Sequence, residues 1–169
     1  MARGWWAAKI RRTLLYIRPS IRAEERAGLT TRLTASELAL FDAMPAADRR
    51  HGLDVLASLR TGAGAGAGAA DRDLLVAGLL HDCGKGSRVR LAHRVVWSLG
   101  KRYGGWICGL ARPLPTFGYG LARLRDHAAL SAELAATAGC SGRTVALIRN
   151  QETPIDDAGR LLLAADEDN

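Results

Sequence analysis

Residues 74–85 read Leu-Leu-Val-Ala-Gly-Leu-Leu-His-Asp-Cys-Gly-Lys, and this stretch decides how the rest of the chain is interpreted. The apolar run, which Asp71 is placed to cap, predicts a buried helix. It leads directly into His81 and Asp82, two different types of metal ligand. An unpaired carboxylate at the end of a buried segment costs several kcal/mol. We therefore expect a cation beside this pair.

Helical spacing of apolar residues recurs on both sides of this central segment. It predicts helices over residues 4–18, 34–44, 47–60, 88–101, 127–138, 141–150 and 157–166. No stretch alternates apolar and polar residues as a strand does, and 169 residues suit one domain. The sequence therefore predicts an all-α fold, a single-domain helical bundle.

The sequence also predicts where some of these helices begin or end and which residues they bury. Gly84 is expected to end the central helix, and Asp126 to cap a later helix that starts at His127 and buries Leu130 and Leu134. The helix over residues 88–101 has two distinct faces. Its apolar face carries Leu91, Val95 and Leu99, and its cationic stripe carries Arg90, Arg94 and Lys101.

The chain divides into a basic lead-in, residues 1–46, and a domain over residues 47–169, which together form one compact unit. The lead-in begins with a basic amphipathic helix, in which apolar residues recur at helical spacing among basic ones; the apolar residues are Trp6, Ile10, Leu14 and Ile17. Such a helix suits an acidic membrane surface or a partner, and it also suits packing on the core with its charges solvated. The Gly-Ala repeat at residues 61–70 predicts a flexible loop.

Charge and cysteine content restrict the class of protein. A net charge of +7 and a pI near 10.0 favour an anionic partner: a phosphorylated small molecule, a nucleic acid or an acidic membrane. Three cysteines without a Cys-x-x-Cys pair favour neither a disulfide framework nor a thiolate zinc site. No apolar run is long enough to span a bilayer or to act as a secretion signal, so we expect a cytoplasmic protein.

Histidines and aspartates occur in a characteristic order. A helical His51 precedes the pair His81-Asp82, which is followed by Gly-Lys, and Asp166 comes late in Leu-Leu-Ala-Ala-Asp. In this order the chain resembles the HD-domain metal-dependent phosphohydrolases over residues 47–169. The resemblance implies an HD-type helical bundle with His51, His81, Asp82 and Asp166 as metal ligands.

Two imidazoles and two carboxylates suit one divalent ion, which the sequence leaves open among manganese, iron, cobalt, nickel, zinc and magnesium. Some HD-domain members hold a second ion through further histidines. His127 stands where the first of these is found, but Asn150-Gln151 replaces the histidine pair that would complete the site. We therefore expect a single ion.

An ion in such a site activates water for attack on phosphorus, so the expected activity is hydrolysis of a nucleotide or another small phosphorylated metabolite. Asp82 and Lys85 are the candidate catalytic residues. The candidate phosphate-binding residues are Lys85, Arg90, Arg94 and His127. The alternative for the lysine and the arginines is a solvated position, and for His127 a packing role at a helix start.

A second interpretation keeps the HD fold without the chemistry. The chain would then be a non-catalytic binding or regulatory module that docks on nucleic acid or an acidic membrane through its basic N-terminal region. This interpretation predicts salt-sensitive binding that follows the cationic stripe.

Overall fold

The computed structural model describes residues 20–61 and 71–169. Within these ranges the regular structure is helical throughout, which confirms the all-α prediction for this part of the chain. The predicted helix at residues 4–18 and the repeat at 62–70 lie outside the described residues. The helices are α1 Ala23–Thr30, α2 Ala35–Ala43, α3 Ala46–Thr61, α4 Arg72–Leu80, α5 Leu91–Tyr103, α6 Trp106–Ala111, α7 Phe117–Thr137, α8 Gly142–Arg149 and α9 Asp157–Asp168.

Helix α4 is the centre of the bundle, and every residue from Leu74 to Leu80 is buried. Its N-terminus is capped as predicted, because a carboxylate oxygen of Asp71 accepts the backbone N–H groups of Asp73 and Leu74 at 3.0 and 3.2 Å. Helices α3, α8 and α9 pack around it. Because each fully buried leucine contributes about 1.5–3 kcal/mol, this segment is a major source of stability.

The role predicted for Gly84 is wrong. Helix α4 ends at Leu80, and Gly84 lies in a 3-10 turn, Cys83–Lys85, that packs against α7. A Cβ on Gly84 would lie 2.5 Å from both the His127 carbonyl oxygen and the Ser131 amide nitrogen. Its N–H donates to the Ser131 hydroxyl at 2.8 Å. Glycine is therefore required here for close approach of two backbones.

Helix α7 also differs from its predicted form. It runs for 21 residues, so Asp126 and His127 lie in its middle, and Asp126 is an exposed partner of Arg125 rather than a cap. Leu134, expected inside, is 38% exposed. The buried face instead carries Leu121, Leu124, His127, Ser131, Ala132 and Ala135.

Helix α7 ends as predicted, since Gly139 follows it with a left-handed φ of 81°. Its unpredicted first turns pack closely on α5. A Cβ on Gly120 would lie 2.5 Å from the imidazole of His93. His93 is buried, and its Nε2 lies 3.0 Å from the Thr116 hydroxyl.

The described lead-in shares the core of the main domain. Leu29 of α1 and Phe41 of α2 belong to the same cluster of buried side chains as Leu79, Ile148 and Leu162. Among the described helices, none combines the length and the apolar character needed to cross a membrane.

Candidate metal centre

The four residues expected to bind metal lie on three helices or directly after one of them. His51 projects from α3, His81 and Asp82 follow the end of α4, and Asp166 lies near the end of α9. Since α3 and α9 both pack on α4, the packing of the central helix brings these segments together. The fold thus joins residues that are far apart in sequence.

The imidazoles and one carboxylate form a tight group. His51 Nε2 lies 2.7 Å from Asp166 Oδ1, and His81 Nε2 lies 3.6 Å from the same oxygen. The ligand atoms of His51, His81 and Asp166 all lie within 4.8 Å of one another. Two atoms that bind one ion at 2.0–2.2 Å are roughly 3 Å apart or slightly more, so this spacing fits a shared ion.

Asp82 lies at the edge of this group. Its Oδ1 is 3.5 Å from His81 Nε2, and its Oδ2 is 4.0 Å from His51 Nε2. The ammonium of Lys85 forms an ion pair with Asp82 Oδ2. Asp82 therefore has one oxygen engaged by lysine and the other directed at the ligand group.

Backbone contacts fix the orientation of His81. Its Nδ1–H donates to the Gly78 carbonyl oxygen at 3.0 Å, which leaves Nε2 facing the two carboxylates. His81 Nε2 and Asp82 Oδ1 are both buried without a hydrogen-bond partner. A buried carboxylate oxygen without a partner is costly, so a positive charge is needed beside it, and either a proton on His81 Nε2 or a bound cation supplies one.

The close contact of histidines and carboxylates shifts the pKa values of these groups. Burial lowers the pKa of His81, but the negative charges of Asp82 and Asp166 outweigh burial and raise its pKa to about 9. Burial raises the pKa of the Asp82 carboxyl, and Lys85 with the neighbouring histidines more than reverses this, holding that pKa well below its usual range. Partial burial raises the pKa of Asp166, and the hydrogen bond from His51 outweighs it and lowers that pKa.

A cleft of about 280 Å³ opens beside the ligand group. Of the four expected phosphate-binding residues, Lys85, Arg94 and His127 line it, whereas Arg90 does not. Arg90 precedes α5 with an exposed side chain, and its backbone N–H donates to His93. Its expected contact with phosphate is therefore not supported.

Arg94 lines the cleft but also has a structural partner. Its guanidinium contacts Asp48 Oδ2 at 2.7 Å, and that carboxylate is almost completely buried. The apolar residues Leu91 and Val95 line the cleft as well, and Val95 is 38% exposed. The face of α5 assigned to apolar packing thus borders the cleft.

Other lining residues were missed in the sequence. Trp97 and Lys101 follow Arg94 at helical spacing and line the same cleft, and Lys101 is paired with Glu152 at 2.8 Å. The ammonium of Lys101 also lies 5.8 Å from the centre of the Trp97 ring. The helical spacing of these residues can be read from the sequence, but the sequence does not show that their side of α5 faces the cleft.

His127 and Gln151 support the site from α7 and the turn after α8. His127 Nδ1–H donates to the Leu124 carbonyl at 2.7 Å, and Nε2 lies 3.8 Å from Asp82 Oδ1. Burial lowers the pKa of His127. Gln151 donates to the His81 carbonyl oxygen at 3.2 Å. In this chain, Gln151 therefore positions the backbone of His81.

Comparisons with protein-family models, curated proteins and solved structures return no match for this chain. The candidate function therefore depends on the geometry and chemistry of these residues.

Proposed function

We propose that this chain is an HD-type, metal-dependent phosphohydrolase that acts on a nucleotide or another small phosphorylated metabolite. The observation that carries the proposal is the buried Nε2 of His81, directed at Asp82 and Asp166 without a hydrogen-bond partner. A divalent ion held by His51, His81 and Asp166, with Asp82 in reach, would satisfy all these atoms.

The donor set supports a divalent cation rather than an anion or an apolar ligand. Imidazole nitrogens and carboxylate oxygens together suit manganese, iron, cobalt, nickel, zinc or magnesium. When bound, such an ion supplies Lewis-acid activation of water and of a phosphoryl oxygen. Water access is available, since the side chain of Asp166 is 40% exposed and borders the cleft.

Residues around the ligand group would act on the phosphoryl group. Lys85 carries a positive charge at the cleft and is held there by Asp82, so it would neutralise charge that develops on phosphoryl oxygens. His127 directs its Nε2 toward the site, and its lowered pKa favours the neutral form, which accepts a hydrogen bond from water or substrate.

The cleft indicates the size of the substrate. A volume of about 280 Å³ lies at the lower end of ligand sites, which favours a small molecule. Arg94 and Lys101 add cationic side chains on the α5 side, and Trp97 offers an aromatic surface. This combination suits a phosphate group joined to a planar or sugar moiety.

Metal analysis tests the binding site. The purified full chain is stripped with a chelator, reloaded with each divalent ion and analysed for bound metal and for melting temperature. We expect a ratio near one ion per chain and a raised melting temperature, both lost in His81→Ala and Asp166→Ala. Asp168→Asn is the matched control, because this exposed carboxylate lies two residues from Asp166 on the same helix.

Turnover tests the activity. The loaded protein is assayed with mononucleotides, cyclic dinucleotides and phosphomonoesters, and Lys85→Met is expected to lower kcat while metal binding persists. Turnover that survives Asp82→Ala would contradict the proposed chemistry. Metal binding without any turnover would instead support the non-catalytic binding module.

A further inference from the structure

Apolar side chains are exposed together around α6. Tyr103, Trp106, Leu110 and Leu114 are 53%, 64%, 71% and 54% exposed, respectively. We call these residues the α6 patch. Four large apolar side chains within 12 residues exceed the isolated exposed residues that are normal on protein surfaces.

The packing of α6 explains why these side chains face outward. Its inner side lies against α5, where the Cys108 sulfur would be 2.4 Å from a Cβ on Gly100, and Ala111 is buried. Trp106 and Leu110 are four residues apart, so they share the opposite face. The Leu114 N–H donates to the Ala111 carbonyl at 3.0 Å, which continues the turn beyond the helix.

The chain segment that contains the α6 patch is basic. Residues 83–125 contain nine lysines and arginines and no aspartate or glutamate. Within this segment, the Arg102 guanidinium lies 5.7 Å from the ring centre of Tyr103, and that of Arg88 lies 6.0 Å from the ring centre of Tyr119. Arg112, directly after α6, is exposed. Arg102 and Arg112 therefore place positive charge beside the apolar side chains of the patch.

We propose that the α6 patch docks on an anionic lipid bilayer. Tryptophan and tyrosine favour the interface between headgroups and acyl chains, leucine inserts further, and arginine binds anionic headgroups. This inference does not depend on the metal centre. It concerns described residues only.

The composition of the patch favours a membrane over other anionic partners. A nucleic acid would use the arginines and the aromatic rings, but it gains little from two exposed leucines at the centre of the surface. A protein partner of matching chemistry would need an acidic rim around an apolar pocket. A bilayer with anionic lipids combines a negatively charged surface with an apolar interior, so it matches the arginines and the apolar side chains together.

Vesicle binding by the full chain tests the proposal. Extruded vesicles of phosphatidylcholine, alone or with phosphatidylglycerol at 7:3, are sedimented with the protein at low and high salt. We expect binding to the mixed vesicles that weakens at high salt, because the Debye length falls from about 8 Å at 0.15 M to about 3 Å at 1 M. Leu110→Ser with Leu114→Ser should reduce the partition coefficient by about tenfold or more.

Matched variants separate apolar insertion from charge. Arg102→Glu with Arg112→Glu should abolish the preference for phosphatidylglycerol, whereas Arg160→Glu on α9 should not. Ile155→Ser is the apolar control, because Ile155 is 73% exposed and lies outside the α6 patch. Melting curves establish that each variant is folded. If the double leucine variant does not fold, the Trp106 emission of the wild type, identified with Trp106→Phe, should still shift to the blue on mixed vesicles.

Several results would overturn the inference. Wild-type protein that ignores the mixed vesicles, or a double leucine variant that binds them like wild type, would exclude the α6 patch as the membrane contact. Equal binding in the leucine variant would assign any membrane binding to another segment. Loss of self-association or of single-stranded DNA binding in the patch variants, without vesicle binding, would identify a different occupant.

Discussion

Replacing Gly84 with alanine should disrupt the contact between the 3-10 turn and α7. The new Cβ would lie 2.5 Å from two backbone atoms, whereas ordinary contacts begin at 3.4 Å, so the two backbones must separate by nearly an ångström. Overpacking and the lost buried hydrogen bond to Ser131 together cost roughly 2–5 kcal/mol. That is a large part of the 5–15 kcal/mol typical of a whole domain.

Urea unfolding followed by far-UV circular dichroism measures this effect. Gly28→Ala is the matched control: no atom lies within 4 Å of its new Cβ, and alanine in helix α1 should stabilise by up to about 1 kcal/mol. Ser131→Ala removes only the hydrogen bond and should cost about 1–2 kcal/mol. Adding Ser131→Ala to Gly84→Ala should not restore stability, because the clash involves backbone atoms.

Two outcomes for Gly84→Ala would contradict this reasoning. If Gly84→Ala unfolds at the same urea concentration as wild type, the close approach of the turn and α7 is not a constraint. A loss no larger than that of Ser131→Ala would assign the effect to the hydrogen bond alone. Because the displaced turn directly follows Asp82, metal affinity should fall together with stability.

Three other changes have defined outcomes. In metal-free protein the raised pKa of His81 stabilises the folded state below pH 6.5, and this stability is lost as the pH rises through about 9. The free energy of unfolding should therefore decline over that range by up to about 3 kcal/mol. His81→Gln should flatten the decline. Arg94→Ala leaves Asp48 buried and unpaired and should cost about 3 kcal/mol in urea unfolding, against less than about 0.5 kcal/mol for exposed Arg90→Ala. Thr34→Ala removes the cap that accepts the Glu37 N–H and should lower stability by about 1 kcal/mol, measured by thermal melting.

Local signals in the sequence were sufficient for much of the helical architecture. The apolar run of α4 and its Asp71 cap, and the period of α3, α8 and α9, indicate each helix because these segments bury a face against the core. Helix α7 was predicted too short because Gly118 and Gly120 favour a loop in isolation. Tertiary packing overrides that preference, since Gly120 lies directly under the His93 ring.

The candidate metal ligands were predicted from the sequence by resemblance to a family, whereas the residues that line the cleft were predicted only in part. The order of His51, His81 and Asp166 gave candidate ligands through resemblance, and the structure brings their ligand atoms together. Periodicity could not tell which side of α5 faces the cleft, because the rotation of a helix is set by its neighbours. Arg90 and Lys101 belong to the same cationic stripe, but Arg90 precedes the first turn of α5 and does not reach the cleft, whereas Lys101 lines it.

His51 and Asp166 are 115 residues apart in sequence, yet their side chains contact each other beside the end of α4. An ion shared by them would link distant parts of the chain, and ligand binding of this kind stabilises the native state by about 2.7 kcal/mol at a free concentration 100 times Kd. The amount of unfolded chain available to proteases would then depend on the supply of that ion. Metal scarcity would then limit the lifetime of this protein as well as the proposed activity.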